Sequence, residues 1–326
     1  MQLYYGHTNL IQTLIANSLQ KVVNKIYLGE RIMKLKKMMT IAAAALMAVS
    51  MVACGSSNSA GGNQAGNQPN ESDSSTVITG NPEEHTVEAI KARGKLIVTT
   101  EATFPPLEFQ NKNGEIVGLD ASIAKALADD LGVELELQNI DFNSIITEVQ
   151  AGNADIALAG LSPTQKRKES VDMTNLYYGG GEMVLLVLEE NAEKFSTKES
   201  FASATIATQK GTIQQTLMEE QFADSTHLLL PKFPQCIQEL KTGGTDAVMV
   251  DGDTGKNYMK TTPGLAISSV PVETDPIENG HAAAVMKGNE DFLKWVNERI
   301  AEYVESGKIQ EWYDAAVEEA SAAGVI

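Results

Sequence analysis

One stretch of the chain, residues 160–167, combines residue types that bind anions. It follows an apolar run, residues 155–159, that predicts a short buried strand. Ser162 is a favourable helix N-cap, Pro163 suits the first helical position, and Gln165 completes a capping-box pattern. Backbone N–H groups at a helix start favour negative charge, and the Arg167 guanidinium matches the two oxygens of a carboxylate. Taken alone, the stretch fits a carboxylate site and an ordinary strand–helix turn with a surface arginine equally well.

The elements that must position this stretch alternate between strands and helices. Predicted strands cover residues 95–100, 133–137 and 155–159. Asp120 and Asn143 are the predicted caps of the helices between them, which end at Gly132 and Gly152. The rhythm restarts further on, with strands at 203–208, 228–230, 246–250 and 281–286, and helices at 212–222, 235–241, 290–306 and 309–320. This alternation predicts an α/β fold with two lobes, each a small doubly wound sheet.

Polar side chains gather at the predicted strand ends. Ligands of doubly wound sheets bind outside the carboxyl ends of the strands. Glu101, residues 160–164, residues 209–212 and Asp251 all follow predicted strands directly. We therefore expect them to face a ligand cleft between the two lobes.

The N-terminal part has the pattern of an exported protein. Residues 40–53 form an uncharged apolar run behind Lys34, Lys36 and Lys37, which predicts a signal peptide at 33–53. Cys54 follows directly, in a sequence that resembles the lipobox of bacterial lipoproteins, with Met51 where leucine is usual. A plain signal peptide with an incidental cysteine is the alternative. Residues 54–86 predict a lipidated cysteine followed by a disordered tether rich in Gly, Ser, Asn and Gln. Residues 1–32 are interpreted as upstream sequence wrongly included, because Met33 stands next to the basic segment.

Composition excludes several classes of function. The chain has 326 residues and a formal net charge of −18, which argues against a nucleic-acid partner. Apart from Cys54, only Cys236 remains, so we expect no intrachain disulfide and no cysteine-based metal site. A buried, small apolar role is expected for Cys236. No cofactor and no metal are expected.

Five segments in register resemble the bacterial extracellular solute-binding proteins of family 3, which serve polar amino-acid ABC transporters. They cover most of the chain from about residue 87 to 320. The segments are LIVTTEATFPPLEF at 96–109, GLD at 118–120, AGLSPTQKR at 159–167, QKGT at 209–212 and DAVMVD at 246–251. The chain departs from the family pattern at Ala121, Ser122, Met173 and Thr174, outside the expected ligand shell.

The resemblance implies a two-lobed, type II periplasmic-binding-protein-like fold with the ligand cleft between lobes. It places lobe 1 at 87–182 and 280–326, and lobe 2 at 183–279. Hinges are expected near residues 181–183 and 278–283.

The resemblance also implies roles for site residues. Arg167 would bind the ligand α-carboxylate with the N–H groups of Thr164 and Thr212, and Asp251, Ser162 and Gly160 would bind the α-ammonium. For Asp251, a simple helix N-cap is the alternative. Phe104 and Phe142 would sandwich the aliphatic stem of the ligand, and Glu101 would set specificity for an ammonium, guanidinium or carboxamide side chain. The full expected ligand-binding set is Glu101, Phe104, Phe142, Gly160, Leu161, Ser162, Thr164, Arg167, Gln209, Gly211, Thr212, Ile213 and Asp251.

The implied function is capture of a polar L-amino acid by hinge closure and delivery to an ABC transporter permease with its ATPase. The expected protein is a monomer and not an enzyme, held by a lipid on Cys54 at the outer face of a cell membrane of Gram-positive type. Two alternatives stay open. One is a ligand-sensing receptor module for a membrane partner. The other is an enzyme like cyclohexadienyl or arogenate dehydratase, against which the scarcity of histidines argues, since His85, His227 and His281 all fit surface or structural roles.

Overall fold

The computed structural model describes residues 80–179, 181–275 and 278–326. The predicted signal peptide, Cys54 and the tether up to residue 79 lie outside the described residues. Within those ranges, no helix is long and apolar enough to cross a bilayer.

The described chain alternates between strands and helices. The strands are β1 (Lys95–Thr100), β2 (Thr103–Phe104), β3 (Glu108–Gln110), β4 (Ile116–Val117), β5 (Glu134–Asn139), β6 (Ile156–Ala157), β7 (Val171–Gly179), β8 (Met183–Leu188), β9 (Thr205–Gln209), β10 (Thr226–Leu230), β11 (Ala247–Asp251), β12 (Leu265–Ile267) and β13 (Gly280–Met286). The α-helices are α1 (Val87–Arg93), α2 (Leu119–Leu131), α3 (Ile145–Ala151), α4 (Gln165–Ser170), α5 (Ile213–Gln221), α6 (Phe233–Thr242), α7 (Gly252–Thr261), α8 (Glu290–Glu305) and α9 (Lys308–Ala323).

The first sheet has the strand order β5-β1-β6-β13-β7. β1 runs parallel to β5 and β6, whereas β13 runs antiparallel to β6 and β7. Its core contains Leu96 and Val98 of β1 with the apolar face of α2, where Ile123 and Leu127 are fully buried.

The second sheet repeats the arrangement, with the order β10-β9-β11-β8-β12. β9 is parallel to β10 and β11, and β8 pairs antiparallel with β11 and β12. Cys236 of α6 is fully buried in this core, where burial raises the pKa of its thiol to about 12. The expected apolar role of Cys236 is confirmed. The fold is therefore the predicted type II periplasmic-binding-protein-like arrangement, an α/β fold with a mixed sheet in each of two lobes.

Two connections carry the chain between the sheets. β7 pairs in the first sheet and β8 in the second, and the return passes from the second sheet to β13 of the first. Asn279 Nδ2 donates to the Gly181 carbonyl over 2.8 Å, which ties the two connections to each other. They coincide with the regions where hinges are expected.

A small three-stranded antiparallel sheet, β2-β3-β4, stands between β1 and α2 and was not predicted. Gly118 links it to α2, with φ of 122°, and a side chain at Gly118 would strike the Leu107 backbone. The helix consequently begins at Leu119 with Gly118 at the N-cap, so the predicted capping role of Asp120 is wrong. Asp120 is instead buried, and its Oδ2 accepts a hydrogen bond from Gly160 N over 2.8 Å.

The predicted start of the helix before Arg167 is also wrong. α4 begins at Gln165, and Thr164 is its N-cap, with Oγ1 accepting from Arg167 N over 3.2 Å. Ser162 does not cap, since the Leu161 carbonyl accepts a hydrogen bond from Ala282 N of β13 and the Ser162 carbonyl accepts one from Thr164 N before the helix begins. The Gln165 N–H donates to Glu278 Oε1 rather than joining a capping box. Similarly, Asn143 lies within a 3-10 turn, Phe142–Ser144, and Ser144 precedes α3.

Ordered structure begins before the predicted end of the tether at residue 86. Pro82–His85 forms a 3-10 turn, and His85 is buried with Nδ1 2.6 Å from Asp155 Oδ1. Asp155 Oδ2 also contacts Arg93 and accepts from Ile97 N. The fully buried Asp155 therefore anchors the segment that enters the fold, and His85 belongs to the folded part.

The last helix contacts both lobes. Ile309 and Tyr313, in its first half, pack in the core of the first sheet. Ala316, Ala320 and the following Ile326 belong instead to an apolar cluster that joins Phe109 of the small sheet with residues of the second sheet and its helices.

Candidate functional site

A cavity lies between the two lobes and is lined by residues of both. It is reached by residues at the carboxyl ends of β1, β6, β9 and β11, as expected for this architecture. The predicted site residues that line it are Glu101, Phe104, Phe142, Gly160, Ser162, Arg167, Gln209, Thr212 and Ile213. Additional lining residues are Glu108, Ala159, Thr208, Gln214, Phe233, Met249, Val250 and His281.

Arg167 is held by backbone carbonyls from both lobes. Its Nη1 donates to the Ser162 carbonyl over 2.9 Å, and its Nη2 donates to the Gly211 carbonyl over 3.2 Å. The guanidinium carbon also lies 5.4 Å from the centre of the Phe142 ring. Burial lowers the pKa of Arg167 to about 10, so the side chain keeps its charge at neutral pH. Because a guanidinium has five N–H donors, three remain for an anion.

Gly160 joins three elements at one wall of the cavity. Its N–H donates to Asp120, and its carbonyl accepts a hydrogen bond from His281 Nδ1 over 3.0 Å. Its φ is +55°, and a side chain there would lie only 3.1 Å from Leu107 Cδ1. Glycine is therefore required for the backbone to pass this close to the small sheet.

Glu101 also lines the cavity and is enclosed, with 3% of its surface exposed. Its carboxylate accepts from Thr103 Oγ1 at 2.7 and 2.8 Å and from Gln209 Nε2 of the other lobe at 3.2 Å. Burial raises the pKa of Glu101, while these hydrogen bonds act in the opposite direction. A buried carboxylate held by neutral donors leaves negative charge available to a cationic group.

Glu108 is a second acidic residue in the lining, and the sequence analysis missed it. It lies on β3, is 1% exposed, and its Oε2 has no hydrogen-bond partner among the described residues. Burial and the neighbouring Asp120 carboxyl raise the pKa of Glu108 well above its ordinary value. The sequence signal was weak, because alternation with the buried Leu107 and Phe109 predicts that Glu108 points to solvent.

Aromatic rings bound the cavity. Phe104 packs edge-on against Phe233 of the opposite lobe, with ring centres 5.2 Å apart. Phe142 and Phe104 both line the space. Phe233 is the further aromatic that completes this wall.

Four predicted site residues lie beside the cavity rather than in its lining. Leu161 is fully buried in the core of the first lobe, and Thr164 caps α4. Gly211 contacts the site through its carbonyl, which accepts a hydrogen bond from Arg167. Asp251 caps α7, since its Oδ1 accepts from Thr254 N over 2.9 Å, which is the alternative role stated for it. Its Oδ2 remains without a hydrogen-bond partner in the described chain, so capping uses only one of its two oxygens.

His281 is the other lining residue with titratable chemistry that the sequence analysis placed differently. It is 8% exposed, it stacks beside Tyr177 and Tyr178, and it faces Asp120 and Asp251. Its position on β13 next to a predicted hinge was the available signal. The described residues contain no cluster of His, Cys, Asp and Glu with the geometry of a metal site.

Comparison with known proteins agrees with this geometry. The family model described as bacterial extracellular solute-binding proteins, family 3, matches residues 96–318. The arginine-binding extracellular protein ArtP of Bacillus subtilis (strain 168) is 28% identical over 279 residues, which cover 85% of this chain and 96% of that protein. The L-cystine-binding protein TcyJ of Escherichia coli (strain K12) is 28% identical over 233 residues, covering 70% and 86% of the two chains.

A solved structure shows the same fold. The amino acid ABC transporter substrate-binding protein of Streptococcus pneumoniae Canada MDR_19A, bound to L-arginine, superposes with a TM-score of 0.68 at 34% identity. The match covers 71% of this chain and 97% of that one. From the family match over most of the folded residues, together with this structural likeness, the chain belongs to the bacterial extracellular solute-binding proteins, family 3.

Proposed function

We propose that the protein captures an L-amino acid with a basic or amide side chain in the cavity between its lobes. Closure of the lobes about the two connections would bury the ligand, and the closed form would deliver it to an ABC transporter permease with its ATPase. The lobes are taken as residues 87–182 with 280–326, and 183–279. A lipid on Cys54 would hold the monomeric, exported protein at the outer face of the cell membrane.

The observation that carries this proposal is the charge arrangement of the cavity. Arg167 supplies a cation with free donors, and Glu101 and Glu108 supply buried carboxyl groups, in the lining of the same cavity. A zwitterionic amino acid with a cationic side chain would bring its α-carboxylate to the first and its side-chain charge to the second. The unpartnered Oδ2 of Asp251, near His281, is the candidate acceptor for the α-ammonium.

Names of relatives support the ligand class without fixing the ligand. ArtP is named for arginine, TcyJ for L-cystine, and the pneumococcal structure holds L-arginine. An acidic side chain would place a like charge beside Glu101, so we expect glutamate and aspartate to be rejected.

Thermal-shift screening of the standard amino acids with ornithine and citrulline tests the proposal. A ligand at about 100 times its Kd stabilises the folded protein by about 2.7 kcal/mol, which raises Tm measurably. We expect the largest shifts from arginine, lysine, ornithine or glutamine. If no amino acid raises Tm, the proposed function is refuted.

Glu101→Gln separates specificity from general binding in the same screen. The variant keeps the size and hydrogen-bonding capacity of the side chain and removes its charge. Cationic ligands should lose more affinity than glutamine does. Equal losses of affinity for all ligands would show that Glu101 does not set specificity.

A further inference from the structure

Glu108 and Asp120 form a carboxyl pair next to the cavity. Glu108 lies on β3 and Asp120 in the first turn of α2, and each is 1% exposed. Both carboxyl groups lie against Gly160, since Asp120 Oδ2 accepts from its N–H over 2.8 Å and Glu108 Oε1 lies 3.6 Å from where a Cβ on Gly160 would stand. In the described part of the chain, Glu108 Oε2 and Asp120 Oδ1 receive no hydrogen bond from another group.

The surroundings of the pair do not neutralise two negative charges. Asp120 receives one backbone N–H, from Gly160, and the uncharged Tyr177 hydroxyl of β7 lies beside it. Glu101 at the end of β1 and Asp251 at the end of β11 add negative charge, whereas His281 of β13 faces Asp120 and Asp251. Arg167 lines the same cavity but donates to two backbone carbonyls. Neither carboxyl has an ion-pair partner among the side chains that the structure describes.

We propose that Glu108 and Asp120 share one proton in the ligand-free protein, and that a cationic ligand side chain releases this proton to solvent by binding at Glu108. The proposal rests on the proposed function for the identity of the ligand class. It adds an exchange of one positive charge for another, because the proton leaves as the ammonium or guanidinium enters.

The physical reason is that two carboxylates in contact cannot both ionise without a compensating charge. Burial and the adjacent Asp120 raise the pKa of Glu108, so the ligand-free pair retains a proton on one member. A ligand cation at Glu108 favours the ionised form, and the proton passes to the buffer. A neutral carboxamide side chain supplies no such charge, so the pair keeps its proton when glutamine binds.

The shared proton of the ligand-free protein is tested by infrared difference spectroscopy on the whole chain at neutral pH. The wild type should show the carbonyl stretching band of a protonated carboxyl group, and Glu108→Gln should lose it. Glu134→Gln removes an exposed carboxylate on β5 and should leave the band unchanged. If the wild type lacks the band, or if Glu108→Gln retains it, the shared proton is refuted.

Release of the proton by a cationic ligand is tested by calorimetric titration with L-arginine and L-glutamine, in phosphate buffer and in Tris buffer at the same pH. The dependence of the observed enthalpy on buffer should report release of about one proton for arginine and about none for glutamine. Release should vanish in Glu108→Gln, and arginine affinity should fall about tenfold per unit of pH below the pKa of the pair. Binding of arginine without release, or equal release in the variant, overturns the displacement. If no amino acid binds, the proposed function fails, and the infrared result alone decides on the shared proton.

Discussion

Arg167→Ala should remove most of the binding free energy for every amino-acid ligand. Two N–H groups of the guanidinium donate to the carbonyls of Ser162 and Gly211, which fixes its orientation. Three N–H groups remain for the ligand carboxylate. Each charge-assisted hydrogen bond contributes about 1.5–3 kcal/mol, so a bidentate pair contributes about 3–6 kcal/mol. Since 1.4 kcal/mol corresponds to tenfold, Kd should rise by about 10²- to 10⁴-fold.

Calorimetric titration of the wild type and the variant with the same ligands measures this change. Lys166→Ala is the matched control, because Lys166 is the exposed neighbour of Arg167 on α4 and should change Kd by less than about twofold. Arg167→Lys keeps the charge but loses the planar fork, so it should lie between the two. A loss of less than about tenfold in Arg167→Ala, with unchanged Tm, would refute the assignment of the carboxylate to this residue.

Two predictions concern stability and are measured by urea unfolding of the ligand-free protein. Asp155→Ala leaves His85, Arg93 and the Ile97 N–H without their common acceptor, so the free energy of unfolding should fall by about 3–5 kcal/mol. Asp129→Ala breaks the exposed pair with Lys125 and should cost about 0.5 kcal/mol or less; a similar small loss for Asp155→Ala would contradict the anchoring role. Because the folded state raises the pKa of Glu108, it binds a proton more tightly than the unfolded state does, and stability falls as pH rises from the unfolded pKa toward the raised one. Glu108→Gln should flatten this decline, and parallel pH profiles for variant and wild type would contradict it.

Periodicity and glycine signals were sufficient to predict most of the fold. Gly132, Gly152 and Gly243 all adopt left-handed conformations at the C-caps of α2, α3 and α6. Such signals are local, since one residue without a Cβ both ends the helix and marks the end in sequence. The two-sheet division followed from the repeated alternation of strands and helices.

Helix starts were predicted less well because tertiary contacts decide them. Ser162 and Asp120 both have good capping chemistry, yet neither caps a helix. The β13 bond to the Leu161 carbonyl and the close approach of Gly118 to Leu107 shift the two starts in opposite directions. Both contacts join segments far apart in the chain, so local sequence does not contain them.

Residues of the candidate site differ in the same way, because local sequence indicates some of them and tertiary packing determines the others. Arg167 was singled out as the arginine of an anion-binding stretch at a helix start and Glu101 by its place after a strand, and both lie in segments that resemble the family. Glu108 was missed because its burial depends on how the small sheet packs against the rest of the lobe, and not on its own strand pattern. His281 enters the cavity through the register of β13, which pairs with β6 and β7.

The end of α9 bears on the affinity that the proposed lobe closure would give. Ala316, Ala320 and Ile326 share an apolar cluster with Phe109 of the first lobe and with Ile237 and other residues of the second, so the proposed separation of the lobes would divide this cluster and expose apolar surface to water. Such exposure costs about 25 cal/mol for each Å² uncovered. Under the proposed hinge closure, the cluster would therefore raise the population of the closed form before any ligand arrives, and the apparent Kd of a ligand that binds this form would decrease as its population rises. Substitutions at Ala320 would then change affinity from outside the cavity, through the fraction of molecules already competent to bind.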